Sequence, residues 1–192
     1  MSQKIIGIDP SINSTGVCII SLNNTKKNTK YYLIQPDNYL SKKKTESFES
    51  LTKKYLIRLT YTKMPNEGSY SQKEYNKSIN ILSIINNLKA ILKKEKPSHA
   101  YMEGVSYGSI GSAALVDLSG LNFCIRCLLD SLKIPFTIVS PTELKKFTTG
   151  NGAAQKDEMI YCWLNCDSKM TIYSDFKIDD CADAYFLASY NN

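Results

Sequence analysis

Apolar residues along the chain recur with two different periods, and the changes of period divide it into elements. Ile5, Ile6 and Ile8 make a short apolar run over residues 4–9 that stops at the turn-forming stretch 10–14. Residues 15–22 and 31–35 are two more runs rich in β-branched, apolar and aromatic side chains. Between them the polar stretch 23–28 predicts a hairpin loop, so the three strands form an antiparallel meander. From Ile79 the period becomes helical. Ile81, Leu82, Ile85, Leu88, Ile91 and Leu92 recur at helical spacing up to Lys94, and Pro97 ends the helix. Residues 100–105 predict a fourth strand. Residues 112–132 predict a helix with Leu115, Leu118, Leu121, Ile125 and Leu128 as its stripe. Residues 136–139 predict a fifth strand closed by Pro141, and 156–166 and 179–190 predict two further helices. A meander followed by alternating helices and strands is an α/β pattern, a mixed five-stranded sheet with flanking helices. The stretch from Pro36 to about Ser78 interrupts it. It is rich in Lys, Ser, Tyr and Glu, with one amphipathic segment at 48–59 that places Leu51, Tyr55 and Leu59 on one helical face. We read 36–78 as a polar insertion in a single domain spanning 1–192.

Length and charge narrow the function. A chain of 192 residues builds one domain with a real core. The first residues run straight into a strand and resemble no export signal, and no apolar stretch reaches membrane-spanning length, so the expectation is a cytoplasmic protein without a membrane partner. The net charge of +6 favours polyanionic partners. Almost all the cations are Lys, with Arg58 and Arg126 the only arginines, a balance that suits backbone phosphates over base edges. Six cysteines without an export signal read as reduced thiols. Cys124 with Cys127, and Cys162 with Cys166, have spacings that zinc could use, but both pairs lie in apolar helical patterns where Cys serves as a small core residue.

Four carboxylates stand where acids are costly. Asp9 ends an apolar strand, and Glu103 sits among Tyr101, Met102, Gly104 and Val105. Asp180 and Asp183 are three apart on the last helix and share a face. Each has a plain structural reading: Asp9 as a turn cap before Pro10, Glu103 as a solvated strand residue, the others as helix N-terminal acids. Taken together, acids from separate elements suit a hard divalent cation bound through oxygen. Two such ions about 4 Å apart can activate water and stabilise both oxygens of a phosphodiester displacement. The single histidine, His99, offers no nucleophile–histidine alternative and reads as a packing residue.

These residues resemble the RuvC-type Holliday-junction resolvases of the ribonuclease H-like superfamily. Residues 6–16, with Asp9, resemble that family's first motif, Met102-Glu103-Gly104-Val105 its second acidic strand, and Asp180-Cys181-Ala182-Asp183-Ala184 its C-terminal helix. Residues 141–146 and 149–156 resemble its basic DNA-binding segment. The resemblance implies a ribonuclease H-like sheet and a homodimer that nicks four-way junctions in pairs. It implies Mg2+ or Mn2+, two ions per site, on Asp9, Glu103, Asp180 and Asp183 as metal ligands and catalytic residues. It implies DNA contacts from Lys145, Lys146 and Lys156, with an aromatic wedge at Tyr107, one position away from its usual place. A Lys-, Asn- and Ile-rich composition would suit a virus or bacteriophage, acting in the host cytoplasm. Other functions share parts of the pattern. An actin-like ATPase or sugar kinase would share the first motif but needs far more chain and a second glycine-rich phosphate motif. A non-catalytic junction-binding protein would not need the acids. A broader flap- or branch-cutting nuclease would need the same ones.

Overall fold

The structure, a computed structural model, describes residues 3–23, 26–50, 55–105, 112–173, 176 and 178–190. The meander forms as expected from β1 (Gln3–Asp9), β2 (Thr15–Asn23) and β3 (Lys26–Pro36). The hairpin is tighter than its composition suggests. Pairing continues to Asn23 opposite Lys26, so the ladder claims residues 26–30, which their polarity had assigned to loop and connection. Thr29 shows how a polar residue is accommodated there. It is buried, and its hydroxyl donates to the Asp167 carboxylate at 2.6 Å.

The sheet has six strands, not five, in the order β4-β3-β2-β1-β5-β6. The additional one is β4 (Leu56–Tyr61), on the edge beside β3, and it comes from the segment expected to be an amphipathic helix at 48–59. That helix is instead α1 (Lys42–Ser50), anchored by buried Phe48. From Leu56 onward the side chains obey period two: Leu56 joins the core on one face, Ile57 and Leu59 pack on the other. The 36–78 segment therefore extends the sheet. The next helix, α2 (Tyr70–Glu95), begins earlier than residue 79 because Ser69 caps it, accepting from the Gln72 N–H. Ile84 lies in its buried stripe, while Leu82 is exposed.

β5 (His99–Glu103), α3 (Ser112–Ser131), β6 (Phe136–Val139), α5 (Lys156–Cys166) and α6 (Asp179–Ser189) match their predicted places. α4 (Pro141–Thr149) was not anticipated as a helix. Its signal is Ser140-Pro141-Thr142-Glu143, a capping box with Pro at the first turn, closed by Gly150 in the left-handed region.

Helices α2 and α3 cover one face of the sheet over a core built on Ile6, Ile8, Val17 and Ile19. On the other face α4, α5 and α6, with Phe48, enclose Cys18, Ile20, Tyr31, Leu33 and Trp163. Cys124 and Cys127 are exposed on α3, and Cys166 on α5 is exposed too, so they are not the core residues their pattern suggested. The two spaced pairs lie on opposite faces of the sheet and cannot share a zinc ion. Among the described residues no helix is long and apolar enough to cross a membrane.

Candidate active site

Strand direction decides where the site lies. β1 runs parallel to β5, β5 to β6, and β3 to β4, while β2 is antiparallel to its neighbours. The C-terminal ends of β1, β3, β4, β5 and β6 therefore share one edge of the sheet. Ile8 pairs with Met102, which brings Asp9 and Glu103 side by side as the next residues of adjacent strands. Both side chains point to the α6 face, because Ile8 and Met102 fill the opposite core.

Two glycines let α6 descend onto that edge. A Cβ on Gly7 would stand 2.0 Å from the Ala184 carbonyl oxygen and 2.4 Å from the Ala188 nitrogen. One on Gly16 would stand 2.1 Å from the Asp180 carbonyl oxygen. Gly16 is also the cross-strand partner of Asp9. The same contact that seats α6 thus sets Asp180, and Asp183 one turn on, beside Asp9.

The acids consequently feel one another. Asp9 is only 7% exposed. Burial, then the charges of Glu103, Asp183 and Asp180, lifts its carboxyl well above the ordinary range, and it shares a hydrogen bond with Glu103. Burial also raises Glu103, opposed by the Asp9 hydrogen bond and the charge of Lys145. Burial raises Asp180 to about 6, against a hydrogen bond from Ser14 and the charge of Lys156. Burial and Glu103 raise Asp183 to about 7, against Lys156 and Lys145. Carboxyls resisting ionisation because they are buried, and beside one another, form a site that a divalent cation would relieve. The donor set is all oxygen, which fits a hard ion such as Mg2+ or Mn2+. Among the described residues no three metal-binding side chains already form a closed cation-holding group. Asp9 and Glu103 face each other through a hydrogen bond instead, and a cation would have to displace its proton.

The predicted basic residues divide. Lys145, on α4, is half-buried and close enough for its charge to act on Glu103 and Asp183. Lys156 opens α5 and forms an ion pair with Asp179 at the start of α6, within reach of Asp180 and Asp183. Lys146 is exposed on α4, and no ion pair joins it to the acids among the described residues. Tyr107 lies outside the described residues.

Sequence reasoning missed a supporting layer. Arg58 on β4 donates from Nε to Gln35 Oε1 at 2.9 Å, and Gln35 Nε2 donates to Ser14 Oγ at 2.9 Å. Arg58 is a pure donor, so it fixes which way the Gln35 amide points. With Gln35 donating to its oxygen, Ser14 turns its own proton to Asp180. Gln35 is 1% exposed and Ser14 2%. On the opposite face of the sheet, buried Asn122 of α3 donates to the Glu103 carbonyl at 2.9 Å and accepts from Arg126. Buried polar residues in an element's stripe, such as Asn122, were the available signal. Gln35 and Arg58 lie on strands whose pairing the sequence does not state.

The fold is that of a ribonuclease H-like domain. The fold is shared with a T. thermophilus RuvC in complex with Holliday junction substrate, at TM-score 0.62 and 13% identity over 97% of this chain and 90% of that one. A Thermus thermophilus RuvC structure aligns at TM-score 0.58 and 15% identity over 97% of this chain and 91% of that one. No family model matches the chain. A crossover junction endodeoxyribonuclease RuvC of Prochlorococcus marinus (strain NATL1A) is 31% identical over 109 residues, 56% of this chain and 67% of that protein. The chain belongs to the RuvC family of crossover junction endodeoxyribonucleases.

Proposed function

We propose that this protein is a metal-dependent endonuclease that hydrolyses phosphodiester bonds in branched DNA, chiefly four-way junctions, by paired nicks. One observation carries the reading: Asp9, Glu103, Asp180 and Asp183, from three elements, meet at one sheet edge with their carboxyls held above the ordinary range. Family membership supports the same chemistry and substrate.

The four acids would hold Mg2+ or Mn2+, two ions if both halves of the cluster are used. Bound divalent ions supply an activated water and neutralise charge on the displaced phosphate oxygens. The protein's own part is placement. Asp9 and Glu103 sit on rigid strand ends and Asp180 and Asp183 on a helix seated against glycine, so the donors keep their spacing when charged. Ser14 holds one Asp180 oxygen by donating to it. Lys145 and Lys156 flank the cluster on the α4–α5 side, where they can meet the phosphates of the cut strand. Lys156 must exchange Asp179 for phosphate to do so.

Two coordinated cuts need two sites, and the proposed assembly is a homodimer. Leu82 on α2 and Val116 and Phe123 on α3 are 51%, 67% and 58% exposed on adjoining helices, an apolar surface that a second copy could cover. Sedimentation of the full chain checks this, and a monomer with and without junction DNA would count against it.

The deciding assay offers a synthetic four-way junction with Mg2+, with Mn2+ and with chelator. Wild type should nick symmetrically with either metal, and Asp9→Asn should bind with wild-type affinity without cutting. Metal-dependent cutting by Asp9→Asn at the wild-type rate would end the assignment. Flap and RNA–DNA hybrid substrates in the same assay separate the junction resolvase from a broader nuclease.

A further inference from the structure

The acids have two flanks. On the α6 face stand Lys145 and Lys156. On the other face, beside the same sheet edge, lies a cavity of about 140 Å³ that none of the site residues lines. The turn that follows Asp9 forms one wall through Ile12, and the connection from β4 to α2 forms another through Lys63, Met64, Pro65 and Asn66. Helices α2 and α3 close it with Ile81 and Asp117. Ile12 is three Cα–Cα steps from Asp9, so their Cα atoms are within roughly 11 Å.

The cavity is held open by design of the insertion. Buried Asn80 clamps Met64 from both sides, accepting from its N–H at 2.7 Å and donating to its carbonyl at 3.2 Å. Buried Asn76 donates to the Pro65 carbonyl at 2.7 Å. Two side-chain amides in one helix stripe thereby fix the segment whose side chains form the wall. The floor is apolar, from Ile12, Met64, Pro65 and Ile81, and the rim is polar. Lys77 is committed to Glu74 at 3.0 Å and Asp117 at 3.3 Å. Lys63 is exposed and donates to Asn13, and Lys73 has no ion-pair partner among the described residues.

We infer that this cavity is a nucleotide subsite, which takes one unstacked base of the cut strand while Lys63 and Lys73 hold its flanking phosphates. The inference rests on the nuclease reading above. A cavity of about 150 Å³ accepts a benzene-sized ring, so this one suits a single six-membered base ring. An apolar floor with a thioether and a proline presents surface to the ring's face, and the lysines supply the charge complement to its backbone. A strand crossing the sheet edge past Asp9 must run from one face to the other. With phosphates on the Lys145 side, its next one or two nucleotides arrive at Ile12. Unpaired or weakly stacked bases at a branch cost least to extract.

The test is an abasic scan of the strand around the cut, measured as junction affinity in chelator so that no cutting intervenes. Wild type should lose at least fivefold affinity at one position, one or two nucleotides from its nick. Asn66→Trp, which plugs the mouth from an exposed position, should lose nothing more at that position. Lys63→Ala with Lys73→Ala should lower the salt slope of binding by about two. A flat scan in wild type, or a sensitive position that survives in Asn66→Trp, overturns the subsite. An unchanged salt slope in the double variant does so as well. Failure of the parent reading looks different: wild type then nicks no junction in Mg2+ or Mn2+, whatever the scan gives.

Discussion

Replacing Gly16 by Ala puts the seating of α6 to a direct test. The added Cβ would lie 2.1 Å from the Asp180 carbonyl oxygen, 2.5 Å from its carbonyl carbon and 2.9 Å from its Cβ. Ordinary van der Waals contact begins at 3.4 Å, so the first turn of α6 has to retreat by at least about 1 Å. Two of those three atoms are backbone, and no rotamer change relieves them. Overpacking of this kind costs about 1–3 kcal/mol, which in a protein of this size lowers Tm by roughly 2–12 °C. The effect on cutting should be larger. Asp180 and Asp183 move with the turn, Asp9 and Glu103 stay on their strands, and a misplacement of about 1 Å can cost about 100-fold in rate. The assay is single-turnover junction cleavage against Mg2+ concentration, at a temperature where circular dichroism shows the variant folded. Gly120→Ala is the matched control. Its Cβ meets nothing closer than Ile81 Cδ1 at 3.8 Å, and alanine favours a helix by up to about 1 kcal/mol. If Gly16→Ala cuts at the wild-type rate with the same Mg2+ requirement, the close approach does not place the acids and the account of the site is wrong.

Other outcomes follow from the same geometry. Arg58→Ala frees the Gln35 amide to turn and loosens Ser14 on Asp180, so half-saturation by Mg2+ should need about tenfold more metal, read by metal-dependent thermal shift as well as by cutting. An unchanged metal requirement would mean that the relay does not reach the site. In chelator, stability should fall as pH rises. Asp180 and Asp183 have folded values near 6 and 7 against 3.8, so their contribution is full below about pH 4 and lost as pH climbs through 6 to 7. For Asp183 this is worth up to about 4 kcal/mol, and about 1–3 after allowing for its partial exposure. Asp183→Asn should flatten the metal-free profile between about pH 4 and 7, and a slope equal to that of wild type contradicts the reading. Glu95 has the opposite sign. It resists its own burial through hydrogen bonds from Tyr32 at 2.5 Å, Lys4 at 2.9 Å and Lys30 at 3.1 Å, which pull its carboxyl to about 2. Glu95→Gln should cost about 1–3 kcal/mol in urea unfolding at pH 7, and the difference should shrink as pH falls from about 4.5 towards 2.

How much of this could be read beforehand depends on the range of the interaction involved. Asp9, Glu103, Asp180 and Asp183 were legible because each sits in a local pattern that an acid disturbs, an apolar strand end or a single helix face. Periodicity likewise placed β1, β2, α3, α5 and α6 well. It failed at Leu56–Tyr61, where Leu51, Tyr55 and Leu59 imitate a helical stripe while Leu56, Ile57 and Leu59 obey period two. Only the vacant edge of β3 decides between them, and that edge is a tertiary fact. It failed at 26–30 for the same reason, because a ladder to β2 outweighs polar composition.

The layer behind the acids was illegible for a sharper reason. Arg58, Gln35, Ser14 and Asp180 are joined only once β4 pairs with β3 and α6 lands on Gly16, so none of the four carries a sign of the others. Read locally, Arg58 is a cation on a polar insertion. In the fold it lies half-buried against the sheet edge with its Nε committed to Gln35, and its Nη2 donates to the Pro36 carbonyl at 3.1 Å. An insertion that added only surface would leave the acids indifferent to it. This one supplies a strand that orients Asp180 on one face and the wall of a cavity beside Asp9 on the other. Sequence change within 36–78 is therefore expected to act on metal affinity through Arg58 and on DNA affinity through Lys63 and Asn66. The two effects should separate, because Arg58 faces α6 and the cavity lies under α2. A variant of Arg58 that altered the abasic scan, or one of Asn66 that altered the Mg2+ requirement, would join what the sheet keeps apart.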